Sequence, residues 1–234
     1  MATIVITGAS KGIGFETALA LTGAGHHVLA VARSQDGLET LRETALKQAP
    51  GAIIHPLVFD IVHGDYQKEF LPLVTDKLGH VDRLINNAGL LVNKTFSTTS
   101  ITDFSAMLEA NLLGHVRMMQ HLLPLMPKDS HIVNIGSMGG FQGSVKFPGL
   151  AAYSASKAAL HTLTECLAME LEDKGIKINC LALGSAQTEM LAHAFPQYES
   201  PITAHEMGAY IAQFAANGHH LFNGKVLPVA VTTP

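Results

Sequence analysis

Short apolar runs alternate along this chain with longer stretches patterned for helices. The apolar runs predict strands over residues 3–7, 27–32, 53–59, 82–86, 131–136, 177–183 and 225–230. The stretches between them predict helices over residues 12–24, 35–48, 65–78, 101–126, 153–174 and 203–216. Repeated strand-then-helix at this spacing predicts a parallel sheet, because parallel neighbours need a long crossover and a helix supplies it. Right-handed crossovers put helices on both faces. The expected architecture is one α/β domain over residues 1–234, built on a doubly wound parallel sheet of about seven strands. Ile4-Val5-Ile6 and Val28-Leu29-Ala30-Val31 are apolar at every position, the pattern of strands covered on both faces. In such a sheet a ligand sits beyond the carboxyl ends of the strands, so the residues that follow each strand should carry the chemistry.

Composition narrows the field. With 234 residues, 47% hydrophobic and 15% charged, the chain can bury a full core within one domain. A net charge of −4 without a basic block speaks against nucleic acid as a partner, and any cations that hold a ligand must be local. The chain enters a strand at once, without the basic and apolar regions of a signal peptide. The apolar stretches around Leu122 and Leu181 are broken by Pro, His, Gly or Asn before they reach membrane-spanning length. A soluble cytoplasmic protein without a membrane partner is expected. Cys166 and Cys180 form no CxxC pair and read as small core residues in a reducing compartment. The 13 histidines are scattered with no HExxH or Cys/His spacing, so no metal is expected.

Thr7-Gly8-Ala9-Ser10-Lys11-Gly12-Ile13-Gly14 joins the first strand to the first helix. Glycines there allow a sharp turn and close approach of a pyrophosphate, which the helix N-terminus then attracts. The G-x-x-x-G-x-G spacing departs from the commoner G-x-G-x-x-G. Gly8, Ser10, Lys11, Gly12, Ile13 and Gly14 are expected to line a dinucleotide. After the second strand, Ala32-Arg33-Ser34 lacks the acidic side chain that would hold the ribose hydroxyls and repel a 2′-phosphate. Arg33 can pair with phosphate, and Lys11 adds a second cation facing the same ribose. Either is an ordinary surface charge alone; together they favour NADP(H) over NAD(H). Asp60, followed by Ile61, accepts a hydrogen bond from the adenine amino group or caps the next helix. Asn86-Asn87-Ala88-Gly89 closes the fourth strand. It lets the backbone pass the adenosine, with asparagine side chains tying strand ends together, or it is a plain turn.

Tyr153 and Lys157 are four apart on a predicted helix and so share a face. A tyrosine near its free pKa of about 10 is a poor acid/base at neutral pH, and a nearby ammonium lowers that value. Tyr-x-x-x-Lys alone is otherwise a packed ring beside a solvated amine. Ser137 ends the fifth strand, where its hydroxyl can bond a carbonyl oxygen as charge develops on it, or serve a turn. Asn111 interrupts an apolar helix; it holds a water that connects Lys157 to solvent, or is satisfied by backbone.

These pieces, in this order, resemble the short-chain dehydrogenase/reductase family over almost the whole chain. They are Thr7 to Gly14, Asp60, Asn86 to Gly89, Asn111, Ser137, Tyr153 with Lys157, and Leu183-Gly184-Ser185-Ala186-Gln187-Thr188-Glu189-Met190. The resemblance implies a Rossmann-like fold and NADPH-dependent reduction of a small carbonyl compound, reversible as alcohol oxidation. Tyr153 would be the acid/base and Lys157 would lower its pKa and hold the nicotinamide ribose. Ser137 would position the carbonyl and Asn111 would organise a proton-relay water. Arg33, Ser34, Asp60, Ile61, Asn87, Ala88 and Gly89 would line the adenosine half, and Gly184, Ala186 and Thr188 the carboxamide end. A catalytically silent NADP-binding sensor or scaffold is the alternative; it would be expected to lose one of the four catalytic positions, and all are present.

The chain also departs from the family. Leu183 stands where proline is usual, and Ser137 and Tyr153 are 16 positions apart (153 − 137), a few more than usual. The region between Thr188 and the helix at 203 is short, and the ending Val229-Ala230-Val231-Thr232-Thr233-Pro234 lacks the usual Asp-Gly-Gly. Segments 139–151 and 185–205 are therefore expected to shape the substrate side, with Phe141, Val145, Phe147, Phe195 and Tyr198 as candidate walls. Helices 101–126 and 153–174 carry apolar residues beyond one core stripe, such as Leu160, Leu163 and Leu167, and the resemblance implies that they pair in a homodimer or homotetramer.

Overall fold

The computed structural model describes residues 1–231; the ending expected at Thr232-Thr233-Pro234 lies outside them. The strands are β1 (Thr3–Thr7), β2 (His27–Ala32), β3 (Ile53–Val58), β4 (Arg83–Asn86), β5 (His131–Ile135), β6 (Lys177–Leu183) and β7 (Val226–Val229). All pair in parallel, in the order β3-β2-β1-β4-β5-β6-β7. The helices are α1 (Gly12–Gly23), α2 (Gln35–Gln48), α3 (Leu71–Lys77), α4 (Ile101–Leu108), α5 (Gly114–Leu122), α6 (Ala151–Glu170), α7 (Glu189–Ala194) and α8 (Ala204–Asn217). This is the Rossmann-like α/β fold expected from the alternating pattern.

The all-apolar strands are explained by the two cores. Ile4 and Ile6 of β1 pack with Leu21, Leu38, Leu41 and Ile211 from α1, α2 and α8 on one face. Val5 packs with Val74, Met118 and Ala168 from α3, α5 and α6 on the other. Strand order reverses at β1, whose neighbours are β2 and β4. The crevice beyond the carboxyl ends of β1 and β4 is the switch point where such folds bind ligands.

Long predicted helices are broken, each for a local reason. The 101–126 stretch starts at Ser100, which forms a capping box with Asp103. A π turn then inserts at Glu109–Leu113, α5 follows, and a 3₁₀ turn at Leu123–Leu125 contains Pro124. The 65–78 stretch begins as a π turn, Tyr66–Phe70, capped by Asp65; Pro72 then sits in the first turn of α3, where its missing N–H costs nothing. The 153–174 stretch starts two residues early, at Ala151, and ends as a 3₁₀ turn at Glu172–Lys174, closed by Gly175 at φ 67. Helix α7 is absent from the sequence expectation because six residues hold too little periodicity to be read.

Two side-chain expectations are corrected. Cys166 is exposed on the outer side of α6, and only Cys180 is a core residue. Leu160 is fully buried in the core, not on an outer stripe, while Leu163 and Leu167 are partly buried against the core that Val5 enters. No helix among the described residues is long and apolar enough to cross a membrane, and no metal-binding cluster occurs among them.

Candidate active site

A cleft of about 1530 Å³ opens over the carboxyl ends of the strands. That exceeds the usual span for one small ligand, about 300–1,000 Å³, and leaves room for a dinucleotide beside a substrate. Its floor is made by backbone. Gly8 has φ 69, and a Cβ there would lie 2.8 Å from Ala88 Cα. A Cβ on Gly14 would fall on the Gly8 carbonyl oxygen and the Asn87 amide. Asn87 fixes this approach: its Nδ2 donates to Thr7 O at 2.9 Å and to Gly8 O at 3.2 Å. The Thr7 hydroxyl in turn accepts from Asn87 N and Ala88 N, both at 3.0 Å. The asparagine ties expected at this strand end are therefore present, and Asn86 adds one by donating to Asn134 Oδ1 on β5 at 2.9 Å.

Helix α1 meets the cleft with its N-terminus uncapped. Lys11 stands at the cap without a side-chain bond to the helix N–H groups, and no acidic residue occupies the first turn. Its free N–H groups and positive dipole end suit a phosphate. The glycine floor and this bare helix end together fit a dinucleotide pyrophosphate. Gly8, Ser10, Lys11, Gly12, Ile13, Gly14, Arg33, Ser34, Asp60, Ile61, Asn87, Ala88 and Gly89 all line the cleft, as do Gly184, Ala186 and Thr188. Some also hold the protein together. Ser34 caps α2, accepting from Gly37 N at 3.2 Å. Asp60 Oδ1 accepts from Val62 N at 2.8 Å, so it closes a turn, and Asp65 takes the helix cap instead. Leu183, standing for the usual proline, is a buried core residue, and Gly184 N donates to Val229 O at 2.9 Å.

Ser137, Tyr153 and Lys157 converge on the same cleft. Lys157 is 3% exposed, and its Nζ donates to Ile135 O at 2.7 Å and lies 5.9 Å from the Tyr153 ring centre. Burial pulls its pKa down to about 8. Tyr153 departs from the expectation that lysine would lower its pKa. Burial raises it, and only the Ser137 hydroxyl opposes that rise. The reason is dielectric: burial makes a phenolate costly in this pocket.

Asn111 lies in the π turn and is fully buried. Its Nδ2 donates to Leu90 O and to Ser156 Oγ, each at 2.9 Å, and its Oδ1 accepts from Leu90 N at 2.7 Å. Ser156 Oγ donates to Tyr153 O at 2.7 Å. The Asn111 side chain thus spends its polar atoms on the Leu90 backbone and on Ser156, and so braces α6 beneath Tyr153. The extra residue of the π turn is what swings this amide inward; such bulges recur at functional sites.

Sequence reasoning missed Ser156, although a serine directly before Lys157 on a buried helix face was a readable signal. It also missed His161, one turn beyond Lys157, and His115, one turn beyond Asn111. Burial first, and the Lys157 charge second, hold His161 at a pKa of about 4 and His115 at about 3, so both are neutral neighbours of the lysine. Among the candidate walls, Phe147, Phe195 and Tyr198 line the cleft and Phe141 and Val145 do not. Phe141 turns toward His161 instead, ring to ring at 6.5 Å. Glu109 lines the cleft with one carboxylate oxygen buried and unpaired among the described residues.

A family model for short chain dehydrogenase matches residues 2–199. The 3-oxoacyl-[acyl-carrier-protein] reductase of Thermotoga maritima is 34% identical over 188 residues, covering 80% of this chain and 74% of that one. Among solved structures, a short chain dehydrogenase from Burkholderia cenocepacia in complex with NADP superposes with a TM-score of 0.86 at 25% identity, over 97% of this chain and 95% of that one. A 3-ketoacyl-(acyl-carrier-protein) reductase from Brucella melitensis complexed with NADH gives 0.84 at 22% identity, over 98% and 96%, a likeness of fold. The chain belongs to the short-chain dehydrogenase/reductase family, oxidoreductases that bind NAD(P)(H).

Proposed function

We propose that this protein is an NADPH-dependent carbonyl reductase, reversible as an alcohol dehydrogenase, acting on small uncharged apolar compounds. The observation that carries the reading is the convergence of Ser137, Tyr153 and Lys157 on the glycine-floored cleft, with Asn111 bracing them from below. The bound nicotinamide would supply or receive the hydride. Ser137 Oγ donates a hydrogen bond to the carbonyl oxygen and fixes its direction. Tyr153 Oη gives its proton to the same oxygen as charge builds there, and its raised pKa keeps it protonated until then. Lys157, anchored at Ile135 O, holds a ribose hydroxyl and a positive charge beneath the phenol. The intact quartet argues against a silent sensor.

Leu90, Leu91, Phe147, Leu150, Met190 and Phe195 line the cleft and favour an apolar substrate body. Arg33 and Lys11 support NADPH, since both line the cleft and both are cations. Ile101, Leu113 and Met169 are exposed along α4, the π turn and α6, which supports pairing of copies there in a cytoplasmic homodimer or homotetramer.

The test is NADPH oxidation against a panel of apolar aldehydes and ketones. Tyr153→Phe should lower turnover by about 10²–10⁴-fold while NADPH still binds. Substantial turnover left in that variant would remove Tyr153 from the acid/base role.

A further inference from the structure

Lys11 Nζ and Glu189 Oε2 form an ion pair at 3.0 Å across 178 positions of sequence. Lys11 is the N-cap residue of α1 in the glycine loop, its side chain making no capping bond to the helix, and Glu189 is the first residue of α7. The preceding Thr188 methyl lies 3.4 Å from where a Cβ on Gly12 would stand. The pair therefore joins the glycine loop to the start of α7 along the wall of the cleft. Lys11, Glu189, Thr188 and Arg33 all line that cleft.

Resting on the cofactor reading above, we propose that Glu189 is a specificity determinant for the cofactor. Its carboxylate competes with the ribose 2′-phosphate for Lys11 and so holds down the preference for NADPH over NADH. One ammonium cannot serve two anions at full strength. A 2′-phosphate must draw Lys11 off the carboxylate and then face the bare carboxylate left nearby. NADH has no 2′-phosphate, so it lacks this added claim on Lys11 and leaves the bridge closed. The two cofactors thus hold α7 differently: NADPH releases its first residue and NADH does not. Both side chains are largely exposed, at 66% and 76%, so solvent screens the pair and the effect is a small factor in affinity.

Dissociation constants for NADPH and NADH, read from nucleotide fluorescence, decide the matter for the wild type, Glu189→Gln, Lys11→Met and the double variant. Glu189→Gln should tighten NADPH by about two- to fivefold and leave NADH nearly unchanged. The gain should shrink at high salt and vanish in the Lys11→Met background. An unchanged NADPH/NADH ratio in Glu189→Gln, or the same gain without Lys11, overturns the competition and leaves the cofactor reading standing. A wild type that binds neither nucleotide overturns both.

Discussion

The two walls of the cleft are made by opposite means. The phosphate side is built from atoms that are missing: Gly8 and Gly14 let backbone meet backbone, and a methyl group at either would strike Ala88 or the Gly8 carbonyl. The side that carries Ser137, Tyr153 and Lys157 is built from atoms that are present. Asn111, Ser156 and Lys157 are almost fully buried, and each spends its polar atoms on named protein partners. The first wall should tolerate no added atom and the second no removed one. Addition there meets rigid backbone, whereas deletion here leaves buried donors and acceptors unpaired.

The contrast breaks first at Gly14→Ala. The new methyl lands on main chain that Asn87 holds in place, so nucleotide binding should be lost and the fold weakened by about 3 kcal/mol in denaturant unfolding. Normal NADPH affinity in that variant would show that the floor can move. On the other wall, Asn111→Leu keeps the shape and removes the hydrogen bonds. It leaves Leu90 N–H and C=O without their partner and should cost about 2 kcal/mol. Its turnover should fall further than its NADPH affinity; equal losses in both would deny the wall a separate role.

A smaller effect distinguishes the walls by pH. Lys157 has a folded pKa of about 8, below its ordinary value. The folded protein therefore gives up this proton before the unfolded chain does. The unfolded state binds more protons above pH 8, so stability rises with pH until the free lysine also titrates. Between pH 8 and 9 the rise should be about 1 kcal/mol, and Lys157→Met should abolish it. An unchanged slope in Lys157→Met would mean that the ammonium is not held in a dry environment.

Much of the frame was legible in the chain itself. β1, β2, β6 and α2 begin and end where their patterns predict, since burial on both faces or on one helix stripe marks every residue of those elements. The glycine loop was legible because only glycine supplies those φ values and that clearance. Ser137, Tyr153 and Lys157 were legible as cleft residues, though not their contacts. Neither the π turn that aims Asn111 nor the six-residue α7, where the Thr188 hydroxyl accepts from Leu191 N at 3.2 Å, leaves a periodic signal. Phe141 and Phe147 look alike in sequence, yet one packs toward His161 and the other lines the cleft. Cys166 and Leu160 were misjudged because a helix position says which residues share a face, not which face meets the core.

The sequence by itself determined the doubly wound sheet, the glycine-floored cradle and the four residues gathered at the strand ends. These follow from local rules: burial sets periodicity, sterics choose glycine, and helical spacing puts Tyr153 beside Lys157. The tertiary structure alone decided how those residues are used. It tied Lys157 to Ile135, raised rather than lowered the Tyr153 pKa, committed the Asn111 amide to Leu90 and Ser156, and set Glu189 against Lys11. Each depends on solvent exclusion or on contact between residues far apart in the chain, and no local pattern encodes either.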